Sequence, residues 1–128
     1  MKIEHLAIWV DDLKQMKDWY CQSLAMIAGD KYENIAKGFS SYFLSFSSGA
    51  RIELMKRSDI QASPKPKGMV SGFAHIAISV GSKEKVIELT EEFRVQGVGV
   101  IGEPRTTGDG YFESVIEDPE GNWIEITS

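Results

Sequence analysis

Two histidines and two glutamates recur at matched positions in this chain. His5 precedes Glu53 by 48 positions, and His75 precedes Glu125 by 50. Imidazole suits Zn, Ni, Fe and Co, and carboxylates extend the range towards Mn and Mg. Brought together by the pseudo-twofold symmetry of a repeat, the four side chains would form an N₂O₂ site for a divalent metal ion.

The residues around each candidate ligand alternate as β-strands do. His5 in "EHLAIWV" and His75 in "AHIAISV" fall on the face opposite the more continuous aliphatic stripe. Glu53 in "RIELM" and Glu125 in "WIEIT" are flanked by aliphatic residues that point the other way. Because successive side chains of a strand point to opposite faces, all four candidates are predicted on open sheet faces, away from the helices.

Each candidate has a simpler interpretation when it is considered alone. A single histidine on a strand is more often a hydrogen-bonded structural residue, and a glutamate in "IEL" or "IEI" usually marks the solvated face of a strand. The chain has no other histidines. Their equivalent positions in a repeat, each with an equivalent glutamate, favour the metal-site hypothesis.

The repeat also predicts the organisation of the chain. Residues 4–12 and 74–82 are each followed by a helical pattern, capped by Asp11 or Asp12 in the first half and by Ser82 in the second. The apolar positions of these helices are Leu13, Met16, Tyr20 and Leu24, then Val86, Leu89 and Phe93, with Gly97 as the stop. Hairpin-like strands follow in each half. We expect a single domain over 1–128, with a first module at about 1–57, a linker at about 58–72 and a second module at about 73–128.

Composition narrows the function classes. The chain has 128 residues, 42% of them hydrophobic, and a formal charge of −5, so nucleic acid is not expected as a partner. No apolar run approaches a membrane span, and no targeting segment is predicted at the N-terminus. Cys21 is the only cysteine, which excludes an internal disulfide and fits a reducing, cytoplasmic location.

Four segments of the chain resemble the vicinal oxygen chelate superfamily, which includes glyoxalase I, bleomycin-resistance proteins and extradiol dioxygenases. They are "HLAIWVDDLKQMKDWYCQSLAM", "RIEL", "HIAISV" and "DPEGNWIEI". The resemblance implies an α+β fold of two tandem βαβββ modules that form an open, cup-shaped mixed sheet around a metal. It implies one divalent ion (Zn, Ni, Mn or Co) held by His5, Glu53, His75 and Glu125, and a homodimer.

The same resemblance implies a glyoxalase-type lyase or isomerase that acts on a small vicinal-oxygen substrate through an enediolate-like intermediate. A ligand glutamate that loosens from the metal would move the proton, so Glu125 and Glu53 are the candidate bases, with Glu125 preferred by resemblance. Trp9, Trp123 and Tyr111 are predicted to line the substrate site, although the two tryptophans could instead pack between modules.

Several departures from the glyoxalase I pattern limit the substrate prediction. The usual "LGM" after the first helix is "LAM" at 24–26. No arginine early in the first strand and no asparagine shortly after Glu53 matches those that serve glutathione, so strict glutathione specificity is not expected.

Other members of the superfamily supply the alternatives. A small-molecule binding or resistance protein of the same fold would need no complete ligand set. Oxygenases and thiol-transfer enzymes of the superfamily use three protein ligands, which disfavours both.

Overall fold

In the first half of the chain, one helix lies against one mixed sheet. The computed structural model describes residues 1–61 and 66–128 and divides into two compact units, Met1–Ala62 and Ser63–Ser128. The elements of the first unit are β1 (His5–Trp9), α1 (Leu13–Ser23), β2 (Ile27–Ala28), β3 (Tyr32–Asn34), a 3₁₀ turn (Ile35–Lys37), β4 (Phe39–Ser45) and β5 (Arg51–Arg57).

The strands of this sheet run in the order β1-β5-β4-β2, and β3 also pairs with β4. β1 is parallel to β5, and the other pairs are antiparallel. β2 pairs with residues 44–45 of β4, and β3 pairs with residues 39–41. The two short strands thus form one interrupted strand along the edge of β4, so the βαβββ order of the first module holds with a break at residues 29–31.

The second unit contains the βαβββ order without a break. Its elements are a 3₁₀ turn (Lys67–Met69), β6 (His75–Ser79), α2 (Lys83–Val95), β7 (Val100–Thr106), β8 (Phe112–Glu117) and β9 (Trp123–Thr127). The strand order is β6-β9-β8-β7, with β6 and β9 parallel. The predicted α+β class with mixed sheets is therefore confirmed.

Both helices begin at the predicted caps. The Asp12 side chain accepts a hydrogen bond from the backbone N–H of Gln15 at 2.9 Å, and Ser82 accepts one from Lys85 at 3.2 Å. These side chains satisfy amide groups that a helix start leaves without a partner. α2 ends just before Gly97, which has a φ of +80°. Within the described ranges, neither helix reaches the length and apolar content that crossing a bilayer requires.

The core of each unit lies between its helix and the aliphatic face of its sheet. In the first unit, Leu44 and Leu54 are fully buried, as are Met16 and Tyr20 of α1. In the second unit, the fully or almost fully buried aliphatic and aromatic residues of this layer are Val86, Phe93, Ile116, Ile124 and Ile126. A hydrogen bond between Thr90 Oγ1 and Ser114 Oγ, 2.7 Å long, joins α2 to β8 within this apolar layer.

A tight turn leads into the last strand of the chain. The Asp118 side chain accepts hydrogen bonds from the backbone N–H groups of Glu120 (3.0 Å) and Asn122 (2.8 Å), and from the Asn122 side chain (2.7 Å). Gly121 has a φ of +80°, which this turn requires. The "DPEGN" segment therefore fixes where β9 begins, and with it the position of Glu125.

The predicted linker at 58–72 includes residues 62–65, which lie outside the described residues. Within its described part, Gly68 packs against Trp123 of the second sheet. A Cβ placed on Gly68 would lie 2.2 Å from ring atoms of Trp123. The Gly68 backbone therefore rests directly on the indole ring, and only glycine fits there.

The first helix ends with an alanine in the left-handed region. Leu24 is the C-cap, and exposed Ala25 follows it with a φ of +53°. This conformation costs an L-residue about 1–2 kcal/mol, and glycine avoids that cost while losing more chain entropy on folding. Ala25→Gly should therefore raise the free energy of unfolding by about 0.5–1 kcal/mol, measured by urea denaturation.

Ala28→Gly is the matched control, because Ala28 lies in β2 with an ordinary strand conformation. We expect this substitution to lower the free energy of unfolding. Equal losses in both variants would contradict the interpretation of Ala25 as a strained helix end.

Candidate functional site

The first predicted ligand pair forms on the open face of the first sheet. β1 and β5 are parallel, with Ala7 opposite Glu53. His5 is therefore a diagonal neighbour of Glu53 on the same face. His5 Nε2 lies 3.8 Å from Glu53 Oε2, and the two side chains are 39% and 14% exposed.

The second sheet repeats this arrangement. β6 and β9 are parallel, with Ala77 opposite Glu125. His75 Nε2 lies 3.3 Å from Glu125 Oε2, and the side chains are 41% and 15% exposed. The equivalent register in both sheets gives two His–Glu pairs of matching geometry and exposure.

Both pairs have the spacing of neighbouring ligands on one ion. Metal–nitrogen and metal–oxygen bonds of about 2.0–2.2 Å at a tetrahedral angle place two ligand atoms about 3.4 Å apart. The distance of 3.3 Å in the second pair fits this value, and 3.8 Å in the first needs a small side-chain adjustment. Each pair is thus suited to supply half of an N₂O₂ site.

In the described parts of the chain, residues 1–61 and 66–128, no group of three or more His, Cys, Asp or Glu side chains is gathered as a metal would require. The structure brings His5 together with Glu53, and His75 with Glu125. The union of the two pairs in a four-ligand site remains a prediction.

The first pair is surrounded by a charged and aromatic cluster. Glu4 makes hydrogen bonds to His5 Nδ1 and to Arg51 Nη2 through its two carboxylate oxygens. The hydrogen bond with His5, with a further contribution from Arg51, lowers the pKa of the Glu4 carboxyl. The His5 ring contacts Phe43 edge-on at 5.3 Å, and the Arg51 guanidinium lies 4.1 Å from the centre of the same ring.

The second pair has a carboxylate as its neighbour. Glu113 of β8 is 8% exposed, and Arg105 Nη2 lies 3.2 Å from Glu113 Oε1. Desolvation raises the pKa of the Glu125 carboxyl, and the nearby Glu113 raises it further, while His75 opposes the shift. The metal-free fold therefore retains the Glu125 proton to a higher pH than an ordinary glutamate does.

A β-bulge places Arg105 on this face. β7 advances three residues from Gly102 to Arg105, while β8 advances two from Val115 to Glu113. A bulge of this kind re-aims side chains beyond it. A Cβ on Gly102 would lie 2.9 Å from Arg105 Nη1, so the absence of a side chain at 102 leaves room for the guanidinium.

The three predicted substrate-lining aromatic residues lie in different surroundings. Trp9 is 38% exposed and makes an edge-on contact with Phe39 at 6.2 Å. Trp123 lies beneath Gly68, and its Nε1 donates to Glu117 Oε1 at 3.3 Å. Tyr111 is 58% exposed beside the β7–β8 turn. Their role towards a substrate stays a prediction.

Sequence reasoning missed the neighbours of the ligand pairs. Glu113 could have been found, because strand alternation in "FESVIE" places it two positions from Val115, which is opposite Glu125. Glu4 precedes β1, where alternation no longer indicates a direction. Its pairing with Arg51, 47 positions away, left no local sequence signal.

The model of one known protein family matches almost the whole chain. The model of the Glyoxalase/Bleomycin resistance protein/Dioxygenase superfamily matches residues 2–126. Among proteins with curated descriptions, none matches the chain significantly.

Solved structures share the fold at low sequence identity. Glyoxalase I from Zea mays is 22% identical with a TM-score of 0.80, and the match covers 98% of this chain and 44% of the maize chain. The trypanothione-dependent glyoxalase I of Leishmania major is 24% identical (TM-score 0.80; 100% and 86% covered). A glyoxalase family protein from Enterococcus faecalis is 21% identical (TM-score 0.80; 99% and 97% covered). The present chain thus spans less than half the length of the maize chain.

The raised pKa of Glu125 predicts a pH-dependent effect of its replacement. The folded protein binds the Glu125 proton more tightly than the unfolded chain does. The resulting stabilisation is present below the ordinary glutamate range and is lost as pH rises through the raised pKa. In metal-free protein, Glu125→Gln should therefore be more stable than the original chain at pH 7.5, and this difference should shrink at pH 4, as measured by urea denaturation.

Glu53→Gln is the matched control, because Ser41 stands in the first sheet where Glu113 stands in the second. We expect a smaller gain at pH 7.5 in this variant. The explanation would be wrong if Glu125→Gln were no more stable than the original chain at that pH.

Proposed function

Because this chain belongs to the glyoxalase/bleomycin resistance protein/dioxygenase superfamily, we propose that it is a metal-dependent lyase or isomerase of the glyoxalase type. Its substrate would be a small molecule with vicinal oxygen atoms. The observation that carries the proposal is the equivalent His–Glu pair on the open face of each sheet. A protein of this fold that only binds small molecules would not need two such His–Glu pairs.

One divalent ion, Zn, Ni, Mn or Co, would be held by His5, Glu53, His75 and Glu125. The ligands would come from one chain or from two chains of a proposed homodimer. When bound, such an ion would polarise the two substrate oxygens and acidify the adjacent C–H group. The mixed nitrogen and oxygen donor set fits all four metals.

Glu125 is the proposed base that moves the proton between adjacent carbons, and Glu53 is the alternative. The two carboxylates are almost equally exposed, but their neighbours differ. Glu113 lies beside Glu125, and Arg105 donates a hydrogen bond to Glu113. A ligand carboxylate with polar neighbours on its own face has other partners when it leaves a metal, which favours Glu125 as the mobile ligand.

Aromatic side chains on the first sheet favour a substrate that carries an apolar group. On the same face as His5, Trp9 contacts Phe39 at 6.2 Å, and Tyr32 contacts Phe39 at 6.0 Å. Arg57 lies over the Trp9 ring at 5.5 Å. The aromatic surface, and the lack of the arginine and asparagine that serve glutathione, favour a substrate that is not strictly a glutathione adduct. Trp123 and Tyr111 are proposed as further residues that contact the substrate. The proposed location of the protein is the cytoplasm.

This aromatic surface also supports the second candidate function, a binding or resistance protein for a small drug or metabolite without catalysis. Exposed aromatic rings favour the binding of apolar ligands whether or not a metal is present. Metal binding separates the two functions, because only the enzyme needs the paired ligands.

Metal content is the first test of the enzyme proposal. Untagged protein offered Ni, Zn, Mn and Co in turn should retain one ion per four-ligand set, measured by elemental mass spectrometry. His5→Ala or His75→Ala should weaken affinity by at least about 100-fold, because a direct ligand matters more than the outer-shell groups that contribute 10–100-fold. Circular dichroism should show an unchanged fold.

Glu103→Gln is a suitable control, since it removes an exposed carboxylate paired with Arg94 rather than with a histidine. We expect it to bind metal as the original chain does. Failure of the original chain to bind any of the four metals would overturn the enzyme proposal and favour the small-molecule binding protein.

The proposed base can be tested by comparing the two glutamates. A screen of 2-oxoaldehyde adducts and epimerisable acids would supply a substrate, and exchange of its acidic proton with deuterium from solvent would be followed by NMR. Glu125→Gln should lower exchange per bound metal by about 100-fold or more, the scale of general base catalysis. Glu53→Gln, the matched change at the other ligand carboxylate, should lower it less. The opposite order would transfer the role to Glu53.

A further inference from the structure

We infer that Glu4 is a positioning residue for His5, fixing the tautomer and orientation in which the imidazole meets a metal. The inference rests on the proposed metal site and adds a residue to it. It follows from how the three side chains of Glu4, His5 and Arg51 are connected on the first sheet.

Glu4 binds His5 on the side of the ring away from Glu53. The Glu4 carboxylate is an acceptor, so the hydrogen bond with His5 requires a proton on Nδ1. A neutral imidazole carries one ring proton, which leaves Nε2 with its lone pair exposed. Nε2 is also the atom that lies 3.8 Å from Glu53 Oε2. The nitrogen on the Glu53 side is therefore the one that is free to bind a metal.

Arg51 holds Glu4 in place. The second carboxylate oxygen of Glu4 accepts a hydrogen bond from Arg51 Nη2. The Arg51 backbone N–H donates to the Glu4 carbonyl oxygen at 3.0 Å. Both the main chain and the side chain of Glu4 are thus tied to the start of β5, two residues before Glu53.

Phe43 completes the support from the next strand. The Phe43 and His5 rings meet edge-on, with their centres 5.3 Å apart and an interplanar angle of 88°. The Arg51 guanidinium lies over the face of the Phe43 ring, 4.1 Å from its centre. Phe43 is itself opposite Glu53 in the β4–β5 register. The His5 ring is therefore oriented by a carboxylate at one nitrogen and by an aromatic ring at its edge.

The second sheet lacks all three supports at the equivalent positions. Ala74 precedes His75, Trp123 stands opposite His75 as Arg51 does opposite His5, and Val115 stands opposite Glu125. The two histidines of the chain thus provide an internal comparison, with one imidazole held by a carboxylate and the other without one at the same position.

Carboxylate partners of metal-binding histidines contribute about 10–100-fold to metal affinity. Glu4 and His5 are 55% and 39% exposed, so water competes with their hydrogen bond, and we expect the lower end of this range. Glu4→Ala should therefore weaken metal binding by about tenfold. Glu4→Gln should lose less, because its amide oxygen can still accept from Nδ1–H.

The tautomer of His5 tests the inference without metal or turnover. In the NMR spectrum of metal-free protein labelled with ¹⁵N-histidine, only His5 and His75 give imidazole signals. The His75→Ala variant loses one set of signals and so assigns the other to His5. In the neutral imidazole, the His5 nitrogen shifts should report the Nδ1–H form, and Glu4→Ala should shift them towards the Nε2–H form. Glu33→Ala is the matched control, because Glu33 is also 55% exposed and pairs with Lys31 instead.

Competition titration with a chelator then measures metal affinity in the same variants. The inference predicts a loss in Glu4→Ala, partial rescue in Glu4→Gln and no change in Glu33→Ala. An unchanged His5 tautomer together with equal affinities of the Glu4→Ala and Glu33→Ala variants would overturn it. If the original chain bound no metal, the proposed function would fail, and the tautomer alone would decide whether Glu4 orients His5.

Discussion

The parallel pairing of the first and last strand of each unit is the constraint on which the geometry of the two His–Glu pairs depends. A helix joins the first strand to the rest of the unit and packs on one face of the sheet. Ile124 and Ile126 of β9 are fully buried on that face, so a one-residue slip of the strand would expose them and turn Glu125 inward. The aliphatic residues that stabilise the core thereby also set the register that brings Glu125 to His75.

The same coupling explains how much of the site could be predicted from the sequence. Where one sheet face is buried, alternation is strict, and it assigned His5, Glu53, His75 and Glu125 to open faces without any structure. Turn and cap chemistry is also local, so the helix starts at Asp12 and Ser82 were predictable. The element order and the open-face positions of the four candidate residues therefore follow from short-range patterns and an internal repeat, whereas the fold class was implied by the family resemblance.

Other features depend on contacts that have no local pattern. The break between β2 and β3 lies in the polar segment at residues 29–31, where no apolar stripe marks the edge strand. The packing of Gly68 on Trp123 depends on a backbone approach that only three-dimensional structure reveals. Arg105 reaches the face of Glu125 through a bulge, and the extra residues in β7 defeat an alternation argument that assumes regular pairing.

The repeat preserves the four proposed ligands but not their surroundings, and this difference would matter for the proposed chemistry. A metal site that also transfers a proton places opposite demands on its ligands, because one must stay fixed while another must leave the ion and return. Glu4 and Phe43 restrain His5 through contacts that leave its Nε2 free. Burial raises the pKa of the Glu125 carboxyl, and the neighbouring carboxylate of Glu113 raises it further. In the proposed enzyme, two similar halves would therefore divide metal holding and proton transfer between them, because a few residues outside the proposed ligand set differ.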